Sequence, residues 1–165
     1  MKSLLERIGV DINQKLALEA ALDWALEQEV PYIDLCLDQT PELLQKDSAR
    51  LKKARSRLEK AGTRLGLHTL SAVNVAETSP FVAAAADQYL EAYIAAARAL
   101  GAGWIVVHGG YHFGADKRAR MDAAVARIGR ACKKAERAGV RLLLENLNPE
   151  PDEAEVHYLA ADLDE

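Results

Sequence analysis

His68, His108 and Glu145 are the residues whose types and placement promise chemistry, because each closes an apolar run: Leu67 precedes His68, Val107 precedes His108 and Leu144 precedes Glu145. Two imidazoles and a carboxylate form a donor set for a divalent metal such as Mn2+, Zn2+, Mg2+ or Co2+, and the carboxylate can also carry a proton. A lone histidine at a strand end more often hydrogen-bonds a loop carbonyl. A carboxylate directly after Leu142-Leu143-Leu144 is harder to leave unpartnered, since a desolvated charge needs a cation or several donors. Three such residues in one register make His68, His108 and Glu145 candidate metal ligands, and Glu145 the candidate for moving a proton as a catalytic group.

The loops that follow carry groups suited to a polar substrate. Gly109 and Gly110 would let backbone approach a ligand, although glycines also simply turn a chain. His112, Asn146 and Asn148 add side-chain donors and acceptors, which makes His112, Asn146, Asn148, Gly109 and Gly110 the candidate substrate-binding residues. Lys117, Arg118 and Arg120 could anchor a phosphate, but basic residues at that spacing more often form a solvated helix face. Asp11 and Asp38 at strand ends, and His157 near the end of the chain, are weaker candidates.

The elements needed to position these residues are legible as alternation. Five short apolar runs (Ile8 to Ile12, Tyr32 to Leu37, Arg64 to Leu67, Trp104 to Val107, Val140 to Leu144) are separated by segments rich in strong helix formers (Leu16 to Glu27, Pro41 to Ala61, Phe81 to Leu100, Asp116 to Ala138). That order predicts βαβ units around a parallel sheet covered on both faces. Gly62, Gly101 and Gly139 stand where helices end in a left-handed residue, while Pro41 and Pro80 suit first helical turns with Thr40 and Ser79 as N-caps. Pro151 to Glu165 reads as the start of a further helix, with Asp152 and Glu153 at its positive end and Val156, Tyr158 and Leu159 as its apolar stripe.

The bulk numbers agree with one compact unit. The chain has 165 residues, half of them hydrophobic, with 21 Lys and Arg against 25 Asp and Glu, so a single domain over residues 1–165 is expected. The acidic balance argues against nucleic acid as partner. Cys36 and Cys132 fit neither a disulfide framework nor a cysteine metal motif, and no run has the length of a secretory signal core or a membrane span, so a cytoplasmic protein away from membranes is expected. Two parallel architectures remain: the doubly wound sheet and the eight-stranded barrel. The first run is followed by Asp11-Ile12-Asn13-Gln14-Lys15 rather than Gly-x-Gly-x-x-Gly, which disfavours a dinucleotide fold.

Gly66-Leu67-His68, Val106-Val107-His108-Gly109-Gly110 and Leu143-Leu144-Glu145-Asn146 together resemble the xylose isomerase-like TIM barrels, a family of sugar and sugar-phosphate isomerases and epimerases that also includes the endonuclease IV type of abasic-site nuclease. The resemblance implies an α/β fold of (β/α)8 TIM-barrel type and a divalent metal held partly by Glu145. It further implies that His68 and His108 are metal ligands in the nuclease branch and cavity-lining residues in many isomerases. Gly109-Gly110 stands where the family usually has Pro-Gly. The family's remaining ligands come from strands six to eight, so the expectation is a barrel truncated after about five βα units plus a partial last helix.

Such a barrel layer would leave about seven interior side chains open, forgoing about 10–20 kcal/mol of burial, which predicts that the open edges pair in a homo-oligomer. Three functions follow as expectations. The first is a metal-dependent sugar or sugar-phosphate isomerase or epimerase. The second is an abasic-site phosphodiesterase drawing on His112 and the Lys117 to Arg120 cluster, and the third is a non-catalytic or self-assembling half-barrel.

Overall fold

A computed structural model describes residues 4–13, 15–45 and 49–159. Five parallel strands form one sheet in the order β1 (Gly9–Asn13), β2 (Tyr32–Leu35), β3 (Arg64–His68), β4 (Trp104–His108) and β6 (Arg141–Glu145), while the short β5 (Tyr111–His112), between β4 and β6 in the chain, stands outside it. Each neighbour in the sheet is the next sheet strand along the chain, the winding of a TIM-type barrel wall rather than of a sheet whose order reverses midway. The crossovers carry α1 (Leu18–Glu27), α2 (Ala49–Ala61), α3 (Pro80–Leu100) and α4 (Lys117–Ala138).

Alternation along the strands divides the sheet into two unlike faces. Ile33, Leu35, Leu65, Leu67, Ile105 and Val107 are all buried, and they pack into one core with Leu22, Leu51, Leu58, Leu90, Tyr93 and Leu100 from the helices. The opposite face, which would line a barrel, is much more polar. Register aligns Asp11, Asp34, Gly66, Trp104 and Arg141 in one row, then His68, Val106 and Leu143, then His108 and Glu145. Of these, only Trp104, Val106 and Leu143 are large apolar side chains. At about 1.5–3 kcal/mol each, leaving these three open forgoes about 5–9 kcal/mol.

The glycine-ended helices behave as expected: Gly101 and Gly139 close α3 and α4 in the left-handed conformation at φ 72° and 74°, a region that costs a residue with a Cβ. Other local expectations need correction. Pro41–Leu44 is a short 3-10 turn separated from α2, and residues 46–48 lie outside the described part. Neither Thr40 nor Ser79 makes a side-chain cap. Instead the Glu77 carboxylate accepts from the amides of Thr78 and Ser79 at 2.9 and 3.0 Å.

The segment after Pro151 is not helical as far as Leu159, and residues 160–165 lie outside the described part. His157–Tyr158 forms a two-residue strand, β7, antiparallel to β5. The apolar residues assigned to a helical stripe serve this strap instead. Leu159, 1% exposed, packs with Ala76 and Ala124, and its amide donates to the Gly110 carbonyl at 2.8 Å. No helix among the described residues is long and apolar enough to cross a membrane.

Candidate functional site

His68, His108 and Glu145 are the last residues of β3, β4 and β6, one position further into the strands than the apolar runs alone suggest. Direct pairing of His108 with Glu145 across β4 and β6, and of His68 with Val106 across β3 and β4, sets the three at the same end of the sheet. Glu145 Oε2 lies 3.0 Å from His68 Nε2 and 3.2 Å from His108 Nε2, and the two Nε2 atoms are 3.4 Å apart.

Those separations match a metal's ligand shell. Bonds of about 2.0–2.1 Å in a tetrahedral site put neighbouring ligand atoms roughly 3.3–3.4 Å apart. Both Nδ1 atoms are buried without a hydrogen-bond partner, and each ring has its Nε2 edge committed toward Glu145. Burial holds the His108 imidazole below its ordinary range and His68 pushes it further down, while Glu145 draws it back up. A neutral His108 offers a lone pair to a cation. Two imidazole nitrogens and one carboxylate oxygen therefore fit a divalent ion.

The floor of this site is acidic. Asp34 and Trp104 meet over Gly66, the indole N–H donating to Asp34 Oδ1 at 2.7 Å. A Cβ on Gly66 would stand 2.0 Å from both groups, so only glycine lets them join. Burial raises the Asp34 carboxyl above its usual range, Asp11 and Glu145 add to the shift, and the Trp104 bond and His68 oppose it. Its neutral form is thus favoured by folding. The stability linked to Asp34 is complete at low pH and is lost as pH rises through its folded-state value. In metal-free protein, Asp34→Asn should raise the thermal midpoint at pH 7–8, and the gain should vanish below about pH 4, where both side chains are neutral. A variant less stable than the parent at pH 8 would contradict this account.

Beneath the loops a hydroxyl network fixes the backbone of the site. Asp38 Oδ2 accepts from Tyr89 at 2.9 Å and also from Tyr93. The Tyr93 hydroxyl accepts the Leu37 amide at 3.1 Å and lies 3.3 Å from the His68 carbonyl oxygen. Desolvation drives both phenols well above their ordinary range, so they remain protonated donors. Asp38 is thereby placed as the anchor of this network. Asn74 joins the loops after β3 and β4: its Oδ1 accepts from Ala76 and Tyr111 amides at 3.0 Å each, and its Nδ2 donates to the Tyr111 carbonyl at 3.1 Å. Gly110, at φ 87°, passes so close that a Cβ would lie 2.5 Å from Asn74 Oδ1.

The remaining candidates fall in different places. Gly109 is buried, and Asn146 and Asn148 are exposed on the loop leaving Glu145. His112 is 7% exposed, its Nδ1 accepts from the Gly114 amide at 3.0 Å, and its ring stacks on His157 at 5.5 Å. These two histidines belong to the β5–β7 strap. Of the basic cluster, Arg120 is buried and bonded to Asp116 and Glu77, whereas Arg118 is exposed and paired with Asp122. Arg120 is held by Asp116 and Glu77, which takes one of the three basic residues out of the candidate phosphate-anchoring cluster. Asp34, Asn74, Tyr89 and Tyr93 were not singled out from sequence. The charge inside Tyr32-Ile33-Asp34-Leu35 and the i, i+4 spacing of the tyrosines were available signals, while Asn74 offered none.

The model of the xylose isomerase-like TIM barrel family matches residues 22–165. None of the curated proteins matches the chain in sequence. Among solved structures, a D-tagatose 3-epimerase-like protein superposes with a TM-score of 0.76 at 18% identity, over 92% of this chain and 55% of that one. D-psicose 3-epimerase from Clostridium cellulolyticum, solved with D-tagatose, gives 0.71 at 14% identity, over 85% and 52%. A Thermus thermophilus protein soaked with ZnCl2 gives 0.66 at 25% identity, over 83% and 55%. The chain spans about half the length of these structures.

Proposed function

Because the chain belongs to the xylose isomerase-like TIM barrel family, we propose that it serves a divalent-metal-dependent sugar or sugar-phosphate isomerase or epimerase, with His68, His108 and Glu145 as ligands. The observation that carries this reading is the convergence of the three ligand atoms, all within 4.8 Å of one another. The 3-epimerases among the structural neighbours support a ketose substrate.

A bound divalent ion supplies polarisation of the substrate carbonyl and stabilisation of the charge that develops on its oxygen. The chain's own residues supply the rest. Glu145 directs Oε2 at the two imidazoles, and its Oε1 makes none of those contacts, so Oε1 is the atom suited to hold or move the proton next to the carbonyl. Isomerisation needs one such group on one face of the substrate, and epimerisation needs a second on the opposite face; Glu145 supplies one. Asn146 and Asn148, exposed on the loop after Glu145, would supply hydrogen bonds to sugar hydroxyls. The acidic floor of Asp11, Asp34 and Glu145 repels a phosphodiester backbone but attracts a cation.

A second reading keeps one specific support: both histidines turn their Nε2 atoms toward Glu145, the arrangement expected of a metal-binding pair in the abasic-site nuclease branch. The two readings separate in one assay set. With Mn2+ or Co2+ present, the expected result is interconversion of ketose C3 epimers or of an aldose and ketose, with an abasic-site duplex left intact. Cleavage of the duplex without sugar turnover would overturn the first reading.

A further inference from the structure

We propose that Asp11 is a positioning residue for His68: its carboxylate holds the Nδ1–H of the ring, so that Nε2 presents its lone pair toward Glu145 and His108. The inference rests on the metal reading above and goes beyond it by naming what orients one ligand. Asp11 Oδ2 lies 3.7 Å from His68 Nδ1, while His68 Nε2 lies 3.0 Å from Glu145 Oε2. The imidazole therefore stands edge-on between two carboxylates.

A neutral imidazole has one N–H and one lone pair. With a cation held by Nε2, the proton must sit on Nδ1, where burial leaves it without a hydrogen-bond partner. Asp11 is the acceptor that the fold brings to that side. Metal-bound histidines nearly always donate their second N–H to a carboxylate, carbonyl or water, which fixes both tautomer and ring orientation. Closing the gap needs a movement of roughly 0.8–1.0 Å to reach the 2.7–2.9 Å of a charge-assisted bond. Such bonds are often long before ligand binding and tighten afterward.

The strand itself is adapted at this point. Asp11 pairs with Asp34, but the next recorded pair is Asn13 with Leu35, so the register of β1 slips by one residue immediately after Asp11. Irregularities of this kind re-aim side chains beside active sites. The regular register before the slip sets Asp11 opposite Asp34, a like-charge pairing that costs stability and is offset if Asp11 serves a cation-bearing neighbour. Asp11 has a side-chain exposure of 43%.

The test is Zn2+ affinity by calorimetry for the parent chain, Asp11→Ala and Asp11→Asn, combined with nitrogen-15 NMR of the His68 tautomer in the Zn2+-loaded proteins. Asp11→Ala should weaken binding about 10–100-fold, as loss of an orienting partner does. Asp11→Asn, which restores an acceptor but no charge, should recover part of that loss. The parent should show His68 protonated at Nδ1 with a strongly hydrogen-bonded proton that Asp11→Ala lacks, and the metal-free thermal midpoints of the variants should be no lower than the parent's. Equal losses in both variants with an unchanged His68 signal would reduce Asp11 to a distant charge and overturn the proposal. So would parent-like affinity in Asp11→Ala when Glu145→Ala no longer binds. A parent chain that binds no Zn2+ overturns the metal reading and this inference together.

Discussion

On the proposed isomerase or epimerase reading, replacing Glu145 with glutamine is expected to lower kcat for sugar interconversion by about 10²–10⁴-fold, the range lost when a positioned acid-base group is removed. Glutamine keeps the shape and an acceptor oxygen but can neither take up a proton at neutral pH nor balance a divalent charge. Divalent-metal binding should weaken in parallel, and the rise in thermal midpoint expected of the parent chain with Mn2+ or Zn2+ should shrink or disappear, because a ligand stabilises only as far as it binds the folded state. The metal-free variant should be no less stable than its parent. Glu145 is 39% exposed and faces two histidines, one of them pushed toward its neutral form by burial, so folding gains little from its charge alone. An unchanged metal-induced midpoint shift in Glu145→Gln would show that the His68, His108 and Glu145 cluster is not the binding site.

A change of comparable size on stability is expected at Tyr93, the largest fully buried side chain of the core. Truncation to alanine should cost about 3–5 kcal/mol, as for other buried aromatics. That is a large share of the ~5–15 kcal/mol that holds a domain together. Tyr93→Phe separates packing from hydrogen bonding. It retains the ring but leaves the Leu37 amide without its acceptor and removes one donor from Asp38, so it should cost about 1–3 kcal/mol. Urea denaturation midpoints give both values. A Tyr93→Phe protein as stable as its parent would mean that the hydroxyl network around Asp38 contributes nothing net, and that the strand end bearing His68 is fixed by packing alone.

The site trio was legible because its chemistry coincides with a boundary. A histidine or glutamate at the end of an apolar run is conspicuous, and parallel strands of one sheet share a direction, so residues ending successive strands must gather at one end. The supporting groups were harder to read for a physical reason. Tyr93 and Asp38 are separated by 55 positions, and Asn74 and Tyr111 by 37, so nothing local announces that they meet. Arg120 shows the opposite error. By spacing it belonged to an exposed basic face, yet it is buried and ion-paired, because the 3.6-residue period that placed Lys117 and Arg118 outward turned Arg120 inward.

The end of the described chain was misread on similar grounds. Asp152, Glu153, Val156, Tyr158 and Leu159 satisfy a helical pattern, but periodicity in so short a stretch cannot outweigh a tertiary partner. Pairing with Tyr111–His112 and burial of Leu159 against Ala76 and Ala124 decided in favour of a strap. Register likewise lay beyond sequence. Alternation told that each strand has two faces, while the pairing of Asp34, Gly66 and Trp104 in one row showed that the barrel-facing side is largely polar, and that Gly66 is there to let an acid and an indole touch.

Amino-acid order alone was enough for the parallel α/β class, the sequence of strands and helices, and the identity of the three residues at the strand ends, because all of these follow from local periodicity and from the shared direction of the strands. The distances that make those residues a candidate metal site, the placement of Asp11 behind His68 and the commitment of Arg120 and His112 elsewhere came only with the tertiary structure. Each depends on the register and twist that bring distant segments into contact, and register is set by the whole packed sheet rather than by any one strand.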